Sequence, residues 1–134
     1  MNITVQNHLS DITRALDLLT KYLADQQFTK PSIQKLLIAA DEALSNIIQY
    51  NTTQKGAIDI SLSLESNEDG SVQLKFSDNG SKFNPINHPK PIISSNIQTK
   101  EPGGLGIFLM TEFMDECSYE YKDGLNILTL IKHK

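Results

Sequence analysis

The chain has 134 residues, 39% of them hydrophobic and 21% charged, with a formal net charge of −4. That length and balance describe one ordinary globular domain, able to bury a core without staples. The acidic balance and the lack of any basic run exclude a nucleic-acid backbone as the expected partner. A single cysteine, Cys117, rules out an intrachain disulfide and reads as a small apolar filler in a reducing compartment. No apolar run approaches the roughly 18 residues that span a membrane. The N-terminus carries no charged-then-apolar signal segment, so a cytoplasmic location is expected.

In chain order, Asn2–Gln6 alternates Ile3 and Val5 with polar residues, a short strand. From about Leu9 to Gln27 the apolar spacing turns helical, through Leu9, Ile12, Leu16, Leu19 and Leu23. A second helix is expected over Pro31–Tyr50, because proline suits a first helical turn whose N–H groups lack partners anyway. The two helices are expected to pair antiparallel on a sheet. Ile58, Ile60, Leu62 and Leu64 alternate strictly, as do Val72, Leu74 and Phe76, with a hairpin loop at Ser66-Asn67-Glu68-Asp69-Gly70 between them. Phe83 to Pro102 is rich in proline, serine and asparagine, and a loop this long usually serves as a lid or binding loop. Gly103-Gly104-Leu105-Gly106 opens a helical stretch from Ile107 to about Met114. Cys117, Tyr119 and Tyr121 then alternate up to Lys122-Asp123-Gly124, a tight hairpin, and Leu125–Ile131 closes the chain as a nearly continuous apolar strand expected to be central.

Three places could carry chemistry. On the second helix, Leu36, Leu37, Ala40, Ala43, Leu44, Ile47 and Ile48 share one apolar arc, and Glu42 and Asn46 stack four residues apart on its border. An acid and a carboxamide there suit a water, a hydroxyl or a hard metal ion. Asp41 and Ser45 have the same spacing on the opposite border, and spacing alone does not choose between the pairs. Asp78-Asn79-Gly80 ends a strand with a carboxylate and a glycine that lets a ligand approach the backbone, and it also reads as a plain turn. The glycines at 103, 104 and 106 put first-turn N–H groups where an anion can be met, without being a dinucleotide fingerprint or a lysine-bearing phosphate loop. Thr129, in the middle of the last strand, is either a packed β-branched residue or a donor toward a ligand.

Taken together and in order, these three elements resemble the ATP-binding domain shared by DNA gyrase, histidine kinases and MutL, the GHKL superfamily. They are Glu42-Ala43-Leu44-Ser45-Asn46, Asp78-Asn79-Gly80-Ser81-Lys82-Phe83 and Gly103-Gly104-Leu105-Gly106-Ile107-Phe108. The small size, Phe83-Asn84-Pro85, Gly104-Leu105-Gly106-Ile107-Phe108-Leu109-Met110 and Met114-Asp115-Glu116 are similar to the bacterial anti-sigma factor serine/threonine kinases in particular. The resemblance implies an α+β two-layer sandwich with a mixed, mostly antiparallel sheet and helices on one face, the Bergerat ATP-binding fold. It implies one such domain over residues 1–134 with an ATP lid at about 84–103.

By that resemblance Glu42 is the catalytic carboxylate, Asn46 binds Mg²⁺ bridging the phosphates, and Asp78 takes the adenine amino group beside Gly80. Lys100, Gly104, Leu105, Gly106 and Ile107 would meet the phosphates, and Thr129 would lie near adenine. ATP and Mg²⁺ are the implied cofactors. The implied partners are an anti-anti-sigma (STAS) protein as substrate and a sigma factor; homodimers are common in the family, and neither nucleic acid nor membrane is expected. Two departures stand out. Gln49-Tyr50-Asn51 follows Asn46 where the family often has histidine or glycine, and the lid has no arginine, which leaves Lys90 or Lys100 for the γ-phosphate. A non-catalytic ATP- or ADP-binding module and a detached histidine-kinase catalytic domain are the rival readings.

Overall fold

The computed structural model describes residues 1–6, 8–51, 58–87 and 104–133. The alternating runs are strands: β1 (Asn2–Val5), β2 (Ile60–Ser66), β3 (Val72–Asp78), β4 (Glu116–Lys122) and β5 (Leu125–Lys132). The runs at helical spacing are α1 (Leu9–Asp25), α2 (Lys30–Tyr50) and α3 (Gly104–Phe113), with a single 3-10 turn at Pro85–Asn87. The greater part of the expected lid, residues 88–103 with His88, Lys90 and Lys100, lies outside the described residues.

The strands form one sheet in the order β1-β2-β3-β5-β4. Each described pairing is antiparallel, which corrects the expectation of a mixed sheet. The physical reason lies in the connections. A parallel neighbour needs a crossover that returns the chain to the same end. Here two helices, α1 and α2, separate β1 from β2, so β2 runs back against β1. The last strand is interior, between β3 and β4, while β3 holds the centre.

β1, β2, β3 and β5 bury alternate residues, and β4 half-buries Cys117 and Tyr119. Ile60, Leu62 and Leu64 on β2, Leu74 and Phe76 on β3, and Leu128 and Leu130 on β5 all face the helices. The helices supply Ile12, Leu19 and Leu23 from α1, Leu36, Leu44 and Ile48 from α2, and Met110 from α3 to the same core. The other sheet face carries Ser61, Lys75, Ser118 and Glu120, all exposed. Small residues on α2 (Ala39, Ala40 and Ala43) are buried where it passes between its neighbours. Cys117 packs against this core from β4, and burial pushes its thiol up to about 11, so it stays protonated and unreactive at neutral pH.

The ends of α2 matter for the site. Thr29 caps its start, its Oγ1 accepting from the Ser32 N–H at 3.3 Å, with proline in the first turn. At its far end Asn51 folds back, donating from Nδ2 to the Ile47 carbonyl at 2.7 Å. That satisfies one of the carbonyls a helix end leaves unpaired. The β4–β5 hairpin turns on Asp123 and Gly124, both at positive φ (54° and 78°), the geometry of a type I′ turn.

Candidate functional site

The site grows from the middle of α2. Glu42 and Asn46 are one turn apart, and Asn46 is buried at 4% exposure while Glu42 is half-buried. The competing pair on the opposite border is solvent-facing and self-satisfied: Ser45 Oγ donates to Asp41 Oδ1 at 3.2 Å. By contrast, Oε1 of Glu42 and Nδ2 of Asn46 are buried with no hydrogen-bond partner among the described residues. Burial raises the Glu42 carboxyl above its ordinary value; the nearby Asn46 amide opposes the rise without reaching hydrogen-bond geometry, and the charge of Asp41 adds to it. Buried polar atoms are normally paired. Two unpaired ones side by side mark a place shaped for a polar ligand.

Packed over Glu42 is the first turn of α3. This helix starts at Gly104, one turn earlier than its apolar spacing suggests. A Cβ built on Gly106 would lie 2.0 Å from Glu42 Oε2, so the carboxylate occupies the space a side chain would fill. Gly106→Ala is therefore expected to push the carboxylate aside and leave the fold intact. Alanine favours a helix over glycine by about 1 kcal/mol. Melting temperature should hold or rise while any Glu42-dependent activity falls at least about tenfold, an effect of misplacing one reacting group. Parent-level activity in this variant would contradict the placement.

The second wall is the end of β3. Asp78 is buried, and its cross-strand partner on β5 is Asn126. Asp78 Oδ1 accepts from the Gly80 N–H at 2.9 Å and from Asn126 Nδ2 at 3.1 Å. Burial raises the Asp78 carboxyl, and those two donors partly offset it. A cleft with about 410 Å³ of empty volume, opening to solvent, runs between Asn46 and Asp78. Ala43, Ile47 and Leu128 give it apolar walls, and the rings of Tyr50 and Phe83 stack at 4.0 Å between centroids beside it. Few polar groups in apolar walls are the usual lining of small-molecule pockets.

Gly80 also has a packing constraint of its own. Its own missing side chain faces the Asn51 carboxamide, which a Cβ would approach to 2.3 Å. Asn51 is pinned there between the Ile47 carbonyl and the Ser81 N–H, the latter at 3.1 Å. Gly80→Ala must disrupt this buried, hydrogen-bonded contact. It is expected to cost about 1–3 kcal/mol in a urea or thermal melt, as overpacking does. A variant as stable as the parent would show that Asn51 moves freely.

Thr129 is the corrected position. Strand alternation sends Asn126, Leu128 and Leu130 inward and Thr129 outward, where it pairs across the sheet with Lys75 and Ser118. It lies on the face of the sheet opposite the cleft. Ile107 is buried, Gly104 opens α3, the Leu105 side chain is not described, and Lys100 lies outside the described residues. Asn51, Tyr119 and Asn126 have no ligand-binding role in the sequence reading, yet all three line the cleft. For Asn126 the signal was available: it shares the inward parity of Leu128 and Leu130, and a carboxamide at a core-facing position needs partners.

Residues 5–132 match the family described as the histidine kinase-like ATPase domain. Among curated relatives, the serine/threonine-protein kinase BtrW of Bordetella bronchiseptica is 37% identical over 98 residues, 73% of this chain and 68% of that one. The serine-protein kinase RsbW of Listeria innocua is 26% identical over 105 residues, 75% of this chain and 66% of that one. The chain thus spans about two thirds of the length of these relatives. Of solved structures, the SiaB–SiaC complex from Pseudomonas aeruginosa aligns with a TM-score of 0.69 at 17% identity, over 98% of this chain and 87% of that one. The RsbU and RsbW domains of a Mycobacterium tuberculosis protein align with a TM-score of 0.68 at 15% identity, over 99% of this chain and 32% of that one. At those identities the structures speak to the fold alone. The match through almost the whole length, with BtrW beside it, places this chain in the histidine kinase-like ATPase domain family, among relatives that are serine/threonine-protein kinases.

Proposed function

We propose that the chain is a Mg·ATP-dependent serine/threonine-protein kinase acting as an anti-sigma regulatory factor in the cytoplasm. Its substrate would be a STAS-type anti-anti-sigma protein, and it would also bind a sigma factor. The observation that carries the catalytic part is the buried Glu42 oxygen beside Asn46, without a partner among the described residues, on the helix that forms one wall of the Asp78 cleft.

Each residue has a task in this reading. Asp78 accepts a hydrogen bond from the 6-amino group of adenine, a charge-assisted bond in a dry site. Ala43, Ile47 and Leu128 exclude water from the base. Asn46 presents a carboxamide, a hard oxygen donor of the kind Mg²⁺ takes, and one such ligand beside phosphates and waters is enough. Bound there, the ion would neutralise charge on the phosphates. Glu42 accepts the proton of the partner's serine or threonine hydroxyl as that oxygen bonds to the γ-phosphorus and the bond to the ADP oxygen breaks. Its raised proton affinity suits an acceptor. Phosphoryl transfer asks chiefly for such positioning and electrostatics. With residues 88–103 carrying no arginine, Lys90 and Lys100 are the cations left to meet the γ-phosphate.

The test is incubation with γ-labelled ATP, Mg²⁺ and a STAS protein. Acid-stable phosphoserine or phosphothreonine on the partner is the expected result. Label that is acid-labile would favour the detached histidine-kinase domain. ATP binding with no transfer would favour a nucleotide-holding module that sequesters its partner, the reading that the arginine-free lid supports.

A further inference from the structure

Asn126 is the most heavily bonded side chain among the described residues of the cleft, and the family-derived roles leave it unused. Its Oδ1 accepts from the Phe83 N–H at 3.0 Å and from the Tyr119 hydroxyl. Its Nδ2 donates to the Ser81 carbonyl at 2.9 Å, to Asp78 Oδ1 at 3.1 Å and, at 3.4 Å, to the Gly80 carbonyl. A backbone N–H only donates and a carbonyl only accepts, so these contacts fix which way the amide faces. The consequence falls on Asp78. Its Oδ1 is taken by the Asn126 amide and the Gly80 N–H, both donors, whereas Oδ2 carries no hydrogen bond among the described residues. Asp78 itself lines the cleft. The same carboxamide also ties down the 80–83 turn that carries Phe83, whose ring stacks on Tyr50.

We infer that Asn126 is a positioning residue that sets base selectivity: it locks Asp78 as a pure acceptor toward the cleft, so that a purine with an amino group is taken and one with a carbonyl at that position is refused. This rests on the nucleotide reading above. A fixed acceptor rejects a carbonyl because two lone pairs then face each other in a site with little water. A carboxylate free to turn loses that discrimination even where it still binds. Tyr119 belongs to the device as the donor behind Asn126. Burial, and then the charge of Asp78, raise its hydroxyl, which keeps the proton on it.

The experiment is calorimetric titration with ATP and with inosine triphosphate, which differs by a carbonyl in place of the 6-amino group. It is run on the parent, Asn126→Ala and Tyr119→Phe. The parent should prefer ATP. In Asn126→Ala the ratio of the two dissociation constants should fall about tenfold, the scale of one hydrogen bond to a charged group. In Tyr119→Phe, which removes a single hydroxyl, it should fall about threefold, the scale of a neutral bond. An unchanged ratio in both variants, even with both nucleotides weakened, would mean a merely structural role and overturn the inference. If Asn126→Ala does not fold, Tyr119→Phe decides alone. A parent that binds neither nucleotide overturns the nucleotide reading and this inference with it. A parent that binds both equally overturns the selectivity alone.

Discussion

Glu42→Gln is expected to slow phosphoryl transfer to the partner by about 10²–10⁴-fold, the usual worth of a positioned general base. That corresponds to about 3–5 kcal/mol of barrier. The change is close to isosteric, so the contact with Gly106 survives and the fold should not suffer. It also removes a carboxylate whose buried oxygen has no partner among the described residues, so stability should hold or rise. ATP affinity should change little, because in this account Glu42 acts on the incoming hydroxyl and Asp78 holds the base. The pairing of lost turnover with retained binding is the signature to look for. A variant that transfers phosphate at the parent rate would remove Glu42 from the mechanism. A variant that loses ATP binding as completely as turnover would make it a binding residue.

Asp78→Asn should do the reverse. Losing a charge-assisted hydrogen bond to the base should weaken ATP by about 10- to 100-fold, or about 1.5–3 kcal/mol. Stability should move the other way. In the folded protein burial raises the Asp78 carboxyl above its ordinary value of 3.8. The folded state therefore holds its proton to higher pH than the unfolded state does. Its contribution is fully present below the ordinary value, is lost as pH rises through the raised one, and is a constant cost above that. The asparagine variant has no such cost and should be more stable than the parent at neutral pH, the difference closing in acid. ATP affinity of the parent should fall as the pH drops through the raised value, because a protonated Asp78 no longer serves as a charged acceptor. Thermal melts of both proteins at neutral and acid pH, each with and without ATP, check all three signs. A parent more stable than the variant at neutral pH would mean that the Gly80 and Asn126 donors outweigh burial.

Much of this arrangement was legible in the residues because it is periodic. The apolar arc of α2 located Glu42 and Asn46 on its border, and the strict alternation of β2 and β3 delivered Asp78 to a strand end. What escaped was set by contacts between distant segments. Gly80 reads as a turn glycine, but the group that forbids a side chain there is Asn51, at the end of a helix twenty-nine residues earlier. Gly106 reads as an anion-facing glycine at a helix start; what the residues do not show is that it is set against Glu42. In the sequence Thr129, the polar residue in the middle of the strand, stands out more than Asn126 near its start. Parity in the sheet put the two on opposite faces. A polar residue in a strand therefore has to be placed by its phase relative to the apolar residues before it is given a role.

In the proposed function the cleft between α2 and the end of β3 holds ATP with the help of Mg²⁺. Titration calorimetry of ATP into the parent chain, with Mg²⁺ and then with a chelator, tests it most directly. Binding is expected in the micromolar range, weakened by at least about tenfold when the ion is removed, since the Asn46 carboxamide oxygen then has no cation to hold against the phosphates. No heat of binding at millimolar ATP, in the presence of Mg²⁺, would contradict it.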